Sequence, residues 1–367
     1  MRFQAAVLRS YDAPFTMEEV VLRTEPAVGE ILVEIAGTGM CRTDLAVRRS
    51  AGRSPVPAVL GHEGAGVVVR TGGGTDTGIG VGDHVVLSFD SCGRCPTCRG
   101  AAPAYCDSFA SLNLFGGREE PPRFTDASGD ALAPRWFGQS SFAAYALVSA
   151  RNAVRVDPAL PLELLGPLGC GSLTGAGAVL NTFGAGPGDT LVVLGAGAVG
   201  LTAVMAATAA GAPTVAVDRH PERLAAAERF GAIPLPAASS DLPERIRRLT
   251  DGGARYALDT TASPPLINQA LHALRPTGTL GLVARLHGPL TLEPGALDRG
   301  RSVRHICEGD AVPSLLIPRL IGLWRAGRFP FEQLIHTYPL SDINEAERDS
   351  DAGRAVKPVL LPDRASR

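Results

Sequence analysis

The chain has 367 residues, 45% hydrophobic and 20% charged, enough for about two cored domains and unlike a disordered chain. Thirty-five basic residues face 37 acidic ones, for a net charge of −2. No global basic field is available to hold nucleic acid or an acidic membrane. The 43 glycines and 29 prolines follow no period, which excludes collagen-like and low-complexity chains.

The N-terminal stretch MRFQAAVLRSYDAPF lacks the apolar core of a signal peptide. The cysteine count is odd, at seven. Together these predict a cytoplasmic protein whose cysteines bind metal. All basic residues but Lys357 are arginine, a bias of the kind genome composition produces.

Residues 1 to about 170 are read as short strands and turns. AAVLRS, ILVEIAGTG, EGAGVVVR and HVVLSF are β-branched runs punctuated by Gly, Pro and Asp. Within this half, Cys92-x2-Cys95-x2-Cys98-x7-Cys106 places four thiols in fifteen residues. Tetrahedral zinc wants four such ligands at about 2.3 Å on a compact turn, and a site closed by four thiolates is structural. Four thiolates also suit an iron–sulfur cluster; the final seven-residue gap and the rest of the chain favour zinc. Residues 108 to 135 are polar and irregular, a long surface excursion.

From about 172 to 301, strand and helix alternate: LVVLG, a helix after Gly200, TVAVD, PERLAAAERFG, YALDTT, a helix near Leu266 to Leu274, then GTLGLVA. Alternation predicts a parallel sheet with helical crossovers. Thr190 to Val217 carries no charge, but its glycines and its change of period read as strand, helix, strand and not as a membrane span. Gly195, Gly197 and Gly200 form a G-x-G-x-x-G with Ala198 and Val199, after a strand and opening a helix, as a dinucleotide pyrophosphate requires. Asp218 ends the next strand, 21 residues after Gly197. A carboxylate there accepts from both ribose hydroxyls of NAD and repels a 2′-phosphate, so NAD is preferred to NADP, a preference Arg219 would soften. Val312 to Gly327 reads as a helix and KPVLLP as a closing strand.

Cys41, His62 and Cys170 remain, each in a glycine-rich segment: GTGMCRTDL, LGHEGAG and PLGCGSLTG. Two cysteines, a histidine and an open position make a catalytic zinc site, although the ligands are 21 and 108 residues apart and spacing alone does not join them.

Along nearly its whole length the chain resembles the zinc-dependent medium-chain alcohol dehydrogenases. The signatures are Cys41-Arg42-Thr43-Asp44, Gly61-His62-Glu63-Gly64, the four-cysteine lobe, Gly169-Cys170-Gly171, GAGAVG and KPVLL. LSFDSCGRC, PAYC, FGQSSFAAYAL, LDTTAS and EGDAVPSLLIPRLIGLWRAGRFPFEQLI are most similar to the bacterial aryl-alcohol (benzyl alcohol) dehydrogenases.

The resemblance implies a Rossmann doubly wound parallel sheet, 172–301, inserted in a mainly β, partly barrel-like, GroES-like catalytic domain, 1–171 and 302–367, with the structural zinc lobe at about 90–107. It implies two zinc ions per subunit, one on Cys41, His62 and Cys170 and one on Cys92, Cys95, Cys98 and Cys106. Thr43 would accept the alcohol proton, Asp44 would hydrogen-bond His62 and fix its tautomer, and Glu63 would sit behind the zinc as a transient ligand. Arg42 and Lys357 would clamp the cofactor pyrophosphate, with Thr174 among the cofactor contacts and Arg223 joining Asp218 at the adenosine ribose. Many relatives carry a histidine where Ala46 stands, completing a proton relay. Phe89, Trp136 and Phe137 would line a bulky apolar substrate pocket suited to an aryl or terpenoid alcohol, if they are not simply core. Cys307 matches no ligand position.

The expected partners are a small-molecule alcohol and aldehyde, with neither nucleic acid nor membrane. A homodimer or homotetramer is expected through GTLGLVA. Two alternatives share the fold. One is a thiol-adduct formaldehyde dehydrogenase, its charged rim supplied by Arg118, Arg123 and Arg135. The other is a biosynthetic dehydrogenase or reductase for one elaborate metabolite. A non-catalytic module and a zinc-free quinone reductase are disfavoured by the intact ligand set.

Overall fold

A computed structural model describes residues 1–49, 55–74, 77–114, 121–133, 135–239, 241–286 and 288–363. The chain forms two compact units: Met1–Cys170 with Val312–Pro318 and Glu332–Arg367, and Gly171–Ala311 with Arg319–Phe331.

In the first unit, the alternating apolar run Glu30–Gly39 becomes the longest strand of a seven-stranded sheet. It pairs antiparallel with Glu63–Thr71, with Tyr145–Ser149 and, at its far end, with Lys357–Leu361. Ile31, Val33, Ile35, Val68, Val85, Leu87, Ala146 and Val148 bury one face of this sheet in a common core. A second, four-stranded sheet orders Ala58–Val59, Arg2–Leu8, Thr16–Leu22 and Phe124–Asp126. The 108–135 excursion therefore has a helix, Phe109–Asn113, and a strand, Phe124–Asp126.

Glu30 opens the long strand and receives both Arg123, at 2.9 Å, and Arg135. Burial opposes its charge, but Arg123, the Ala27 amide and Arg135 hold its carboxyl below the usual glutamate range. A carboxyl whose pKa falls on folding stabilises the fold above its unfolded value, about 4.3, and that contribution is lost as pH drops through the folded value. Glu30→Gln should cost about 1–3 kcal/mol at neutral pH, read by urea unfolding. The gap to wild type should close below about pH 4. A gap that persists undiminished in acid would contradict the role given to this ion pair.

The second unit carries a six-stranded, all-parallel sheet in the order Ile233–Pro236, Thr214–Asp218, Leu191–Leu194, Ala254–Asp259, Leu274–Leu282, Ser302–His305. Val192, Leu194, Val215, Val217 and Leu280 meet Leu242, Ile246, Ile267 and Leu271 of the crossover helices in one core. The uncharged stretch from Thr190 is two strands and the helix Ala198–Ala210. Among the described residues no helix is long and apolar enough to cross a membrane.

Two expectations need correction. The boundary at 301/302 falls one strand early, because Ser302–His305 pairs in parallel with Thr279–Leu282 and completes the sheet. GTLGLVA is not an edge: its strand is hydrogen-bonded on both sides, and Ser302–His305 is the outer strand. An edge strand needs little apolar content, and SVRH shows none of the alternation that marks a half-buried strand.

Candidate active site and metal centres

The three distant ligands come together. The atoms of Cys41, His62, Glu63 and Cys170 lie within 4.8 Å of one another. His62 Nε2 is 3.2 Å from Cys170 Sγ, close to the roughly 3.6 Å between nitrogen and sulfur on a tetrahedral zinc. The local backbone explains the glycines. Cys41 precedes the helix Arg42–Arg49, and His62 precedes the strand Glu63–Thr71. Cys170 follows a short turn whose Gly169 passes so close to the sheet that a Cβ would stand 1.9 Å from the Leu87 carbonyl oxygen.

Asp44 is fully buried, and its Oδ1 lies 2.8 Å from His62 Nδ1. That bond leaves Nε2 facing the cysteines, as a metal ligand requires. Burial lowers the pKa of His62, but Asp44 and Cys41 carry it well above the ordinary value. The Cys41 thiol is held well below its usual value by Cys170 and His62 against burial. A buried constellation that favours thiolate and cation together is a donor set suited to a divalent metal.

Arg42 and Thr43 are exposed on the first turn of the helix, and Thr43 Oγ1 lies 3.7 Å from Cys41 Sγ. Ala46, one turn on, is exposed as well. A carboxylate oxygen of the buried Glu63 belongs to the same cluster. Lys357, which the resemblance places at the cofactor pyrophosphate, is ion-paired here with Glu63. Its strand pairs with Thr38 and Gly39, and Gly39 stands opposite Glu63. Lys357 Nζ is thereby placed 2.8 and 2.9 Å from the two Glu63 oxygens and 3.2 Å from the Met40 carbonyl oxygen. The side chain is only 6% exposed. Burial works against its charge, and Glu63 and Cys41 outweigh it, raising its pKa.

The aromatic residues divide. Phe137 stacks on the His62 ring at 4.4 Å and 24°. Phe89 meets Phe109 at 5.9 Å, and Phe109 meets Phe137 edge-on. Trp136 is not simply a pocket wall: its indole Nε1 donates to Asp44 Oδ1 at 2.8 Å. Gln139 lies in the FGQSSFAAYAL signature but carries no ligand or cofactor motif of its own. Its Nε2 donates to the carbonyl oxygens of His62 and Ser88, and its Oε1 accepts from Gly64 N. Side chain to backbone bonds made from a loop leave no periodicity to read.

The four thiols of Cys92, Cys95, Cys98 and Cys106 also lie within 4.8 Å of one another. Backbone amides donate to three of the sulfurs: Cys95 N to Cys92, Cys98 N to Cys95, and Cys92 N to Cys106, each at 3.3 Å. The Arg94 and Cys95 amides lower the Cys92 thiol to about 6. Burial and the neighbouring sulfurs push Cys98 up to about 12. Four thiols this close cannot all ionise without a cation among them.

In the second unit, Gly195 has φ +93°, and the helix begins after Gly197. A Cβ at Gly200 would stand 1.8 Å from the Gly195 carbonyl oxygen, whereas at Gly197 it would meet nothing within 4 Å. The turn thus packs tightly behind and leaves open space in front of the amides of Ala198, Val199 and Gly200, a cradle that fits a pyrophosphate. Asp218 is buried, accepting from Ala196 N at 2.7 Å and His220 N at 2.9 Å. Arg219 is exposed and contacts His220, and Arg223 is half-buried in the next helix. Thr174 Oγ1 lies 3.4 Å from Glu308 Oε2. Burial and the nearby Glu308 and Asp310 push the Cys307 thiol up to about 12, which disfavours its thiolate.

Comparison with known proteins agrees with this geometry. Residues 27–158 match the alcohol dehydrogenase GroES-like domain, and residues 198–320 match the zinc-binding dehydrogenase family. The chain is 44% identical over 367 residues to a geraniol dehydrogenase of Castellaniella defragrans, across 98% of this chain and 97% of that protein. It belongs to the zinc-dependent medium-chain alcohol dehydrogenases. The benzyl alcohol dehydrogenase of Acinetobacter calcoaceticus, 38% identical, superimposes with a TM-score of 0.92 over 99% of this chain and all of that one. An alcohol dehydrogenase zinc-binding domain protein from Burkholderia ambifaria, 44% identical, does so with a TM-score of 0.96 over 99% of this chain and all of that one. The dehydrogenase is therefore an oxidoreductase of a family that uses zinc and a nicotinamide cofactor.

Proposed function

We propose that this dehydrogenase reversibly oxidises a primary alcohol bearing a bulky apolar group, aryl or terpenoid, with NAD as hydride acceptor, and that it holds two zinc ions per chain. The observation that carries the reading is the aromatic cluster packed against His62, Phe137 stacked on its ring and backed by Phe109 and Phe89, which would form one wall of the substrate site. Such a wall favours a flat or branched apolar substituent over ethanol. Relatives named for geraniol and benzyl alcohol support the same class.

Cys41, His62 and Cys170 would hold the catalytic zinc, and Cys92, Cys95, Cys98 and Cys106 the structural one. Zinc at the first site supplies the Lewis acidity that makes an alcohol hydroxyl acidic near neutral pH. Thr43 presents its hydroxyl beside Cys41 and takes the proton. With Ala46 in the next turn, that proton passes to solvent without a histidine relay. Asp44 holds His62, and Glu63 stands behind Cys41 with its charge balanced by Lys357. Arg42 presents an exposed cation to the cofactor. The cradle at Gly195–Gly200 would take the pyrophosphate, and Asp218 with Arg223 the adenosine ribose, which favours NAD over NADP. Ser302–His305, the outer strand of the parallel sheet, is the edge through which a homo-oligomer would form.

The charged rim of a thiol-adduct enzyme gains no support, because Arg123 and Arg135 are turned onto Glu30. Arg118 lies outside the described residues.

Initial rates of NADH formation over benzyl alcohol, cinnamyl alcohol, geraniol, ethanol and hydroxymethyl–thiol adducts test the reading. Benzyl alcohol, cinnamyl alcohol or geraniol should exceed ethanol in kcat/KM by at least about 100-fold, the size of a few apolar contacts. NAD should exceed NADP. Equal rates on ethanol, or turnover confined to thiol adducts, would overturn the substrate assignment.

A further inference from the structure

The turn Arg135–Ser140 is unlike any other stretch among the described residues of the first unit. Arg135, Phe137, Gly138 and Ser140 all have positive φ, between 51° and 64°. Three of the four are not glycine. Backbone held in this region persists only where surrounding contacts over-determine it, and such strain collects at functional sites. Such contacts surround the turn. Arg135 is tied to Glu30, and Trp136 N donates to Ser140 Oγ at 2.9 Å. Everything the turn then presents converges on one histidine. Phe137 stacks on the His62 ring, Gln139 holds the His62 carbonyl oxygen, and Trp136 reaches the carboxylate that holds His62 Nδ1.

Asp44 Oδ1 is the shared point. It lies 2.8 Å from His62 Nδ1 and accepts from Trp136 Nε1 at 2.8 Å and Gly61 N at 3.2 Å. Its other oxygen accepts from Cys41 N at 3.2 Å. Asp44 and His62 are at most 1% exposed and Trp136 7%, so water does not stand in for a missing donor.

We infer that Trp136 is a positioning residue: its indole N–H fixes the Asp44 carboxylate and, through it, the orientation of His62 as a metal ligand. The inference rests on the assignment of Cys41, His62 and Cys170 to a metal. A carboxylate oxygen with one fixed acceptor direction for the indole and another for the imidazole cannot rotate. Without the indole, Oδ1 keeps the imidazole and the longer Gly61 amide contact but loses one of its two 2.8 Å partners, and the carboxylate is less firmly oriented. The imidazole then loses the support that sets its angle to the metal. Residues that support a ligand in this way typically change metal affinity 10–100-fold.

The test is Trp136→Phe, which keeps an aromatic ring and deletes the donor, in two backgrounds, wild type and Asp44→Ala. Zinc affinity of the Cys41–His62–Cys170 site is measured by competition with a chromogenic chelator. The ligand-field spectrum is recorded after replacing that zinc with cobalt(II). In the wild-type background Trp136→Phe should weaken metal binding about 10-fold and shift the cobalt bands. In the Asp44→Ala background it should do neither, because the indole then has nothing to act through. Unchanged affinity and spectrum in the wild-type background would overturn the inference. So would an equal loss in both backgrounds, since that is a packing effect. Should Trp136→Phe not fold, the Trp136 indole proton is followed by NMR in a Trp324→Phe variant. It should be protected from exchange and respond to zinc removal; a rapidly exchanging indole proton would overturn the inference. If the unaltered protein holds no metal at this site, the metal assignment fails, which is a separate outcome.

Discussion

Replacing Cys170 with alanine should abolish alcohol oxidation while leaving the fold intact. The thiolate would be one of three donors to a zinc that supplies several kcal/mol of charge stabilisation to the reaction. A loss of about 4 kcal/mol corresponds to about a thousandfold in turnover. Elemental analysis should find one zinc per chain in place of two, because the four-thiolate lobe does not include Cys170. Far-ultraviolet circular dichroism should be unchanged. Retained turnover, or loss of both metals together, would contradict the separation into two sites. His62→Ala should behave alike, because His62 is the only imidazole in the cluster.

Replacing Cys98 should instead damage stability. The lobe from Ser91 to Asp107 has little apolar burial of its own: the helix Pro96–Arg99 has no buried residue. Its order is expected to come from the metal. Structural zinc contributes about 10 kcal/mol or more to small zinc domains, so a vacant lobe should open locally even if the rest of the unit survives. Arg94 and Arg99 are exposed within it, which gives a direct readout. Cys98→Ala should become rapidly cleavable by trypsin at these arginines and should retain one zinc. Resistance equal to wild type would show that the lobe is held by something other than the metal. Because burial and the neighbouring sulfurs push the Cys98 thiol up to about 12, zinc loading should release protons. Zinc should therefore be lost from the lobe as pH falls, since protons then compete with the metal for the thiolates.

Much of the fold was legible because its strongest strands are apolar runs. ILVEIAGTG, EGAGVVVR, LVVLG and TVAVD all form strands where their β-branched residues place them. Thr16–Leu22 carries Glu18 and Glu19, and Ser302–His305 carries Arg304 and His305. Both have little apolar signal because they face solvent on at least one side. The closed four-cysteine lobe could be read from spacing, since short loops keep its ligands local. The Cys41–His62–Cys170 set could not, because its members meet only after the antiparallel pairing of Glu30–Gly39 with Glu63–Thr71. Family resemblance supplied what periodicity could not. The resemblance implies a pyrophosphate contact for Lys357, and its ion pair with Glu63 carried no local signal, because strand register brings the two together. Trp136 and Gln139 act across 92 and 77 residues of sequence, through hydrogen bonds that no local pattern encodes.

Metal held by Cys41, His62 and Cys170 should drive NAD-linked oxidation of a bulky primary alcohol. The most direct measurement is NADH absorbance during turnover of cinnamyl alcohol or geraniol. It is recorded on the intact protein, after a chelator has removed the more labile zinc, and after that zinc has been restored. Activity should vanish with the metal and return with it, in step with a zinc content falling from two to one per chain and rising again. Full turnover by protein lacking that zinc, or no turnover of either alcohol by protein holding both, would contradict the account.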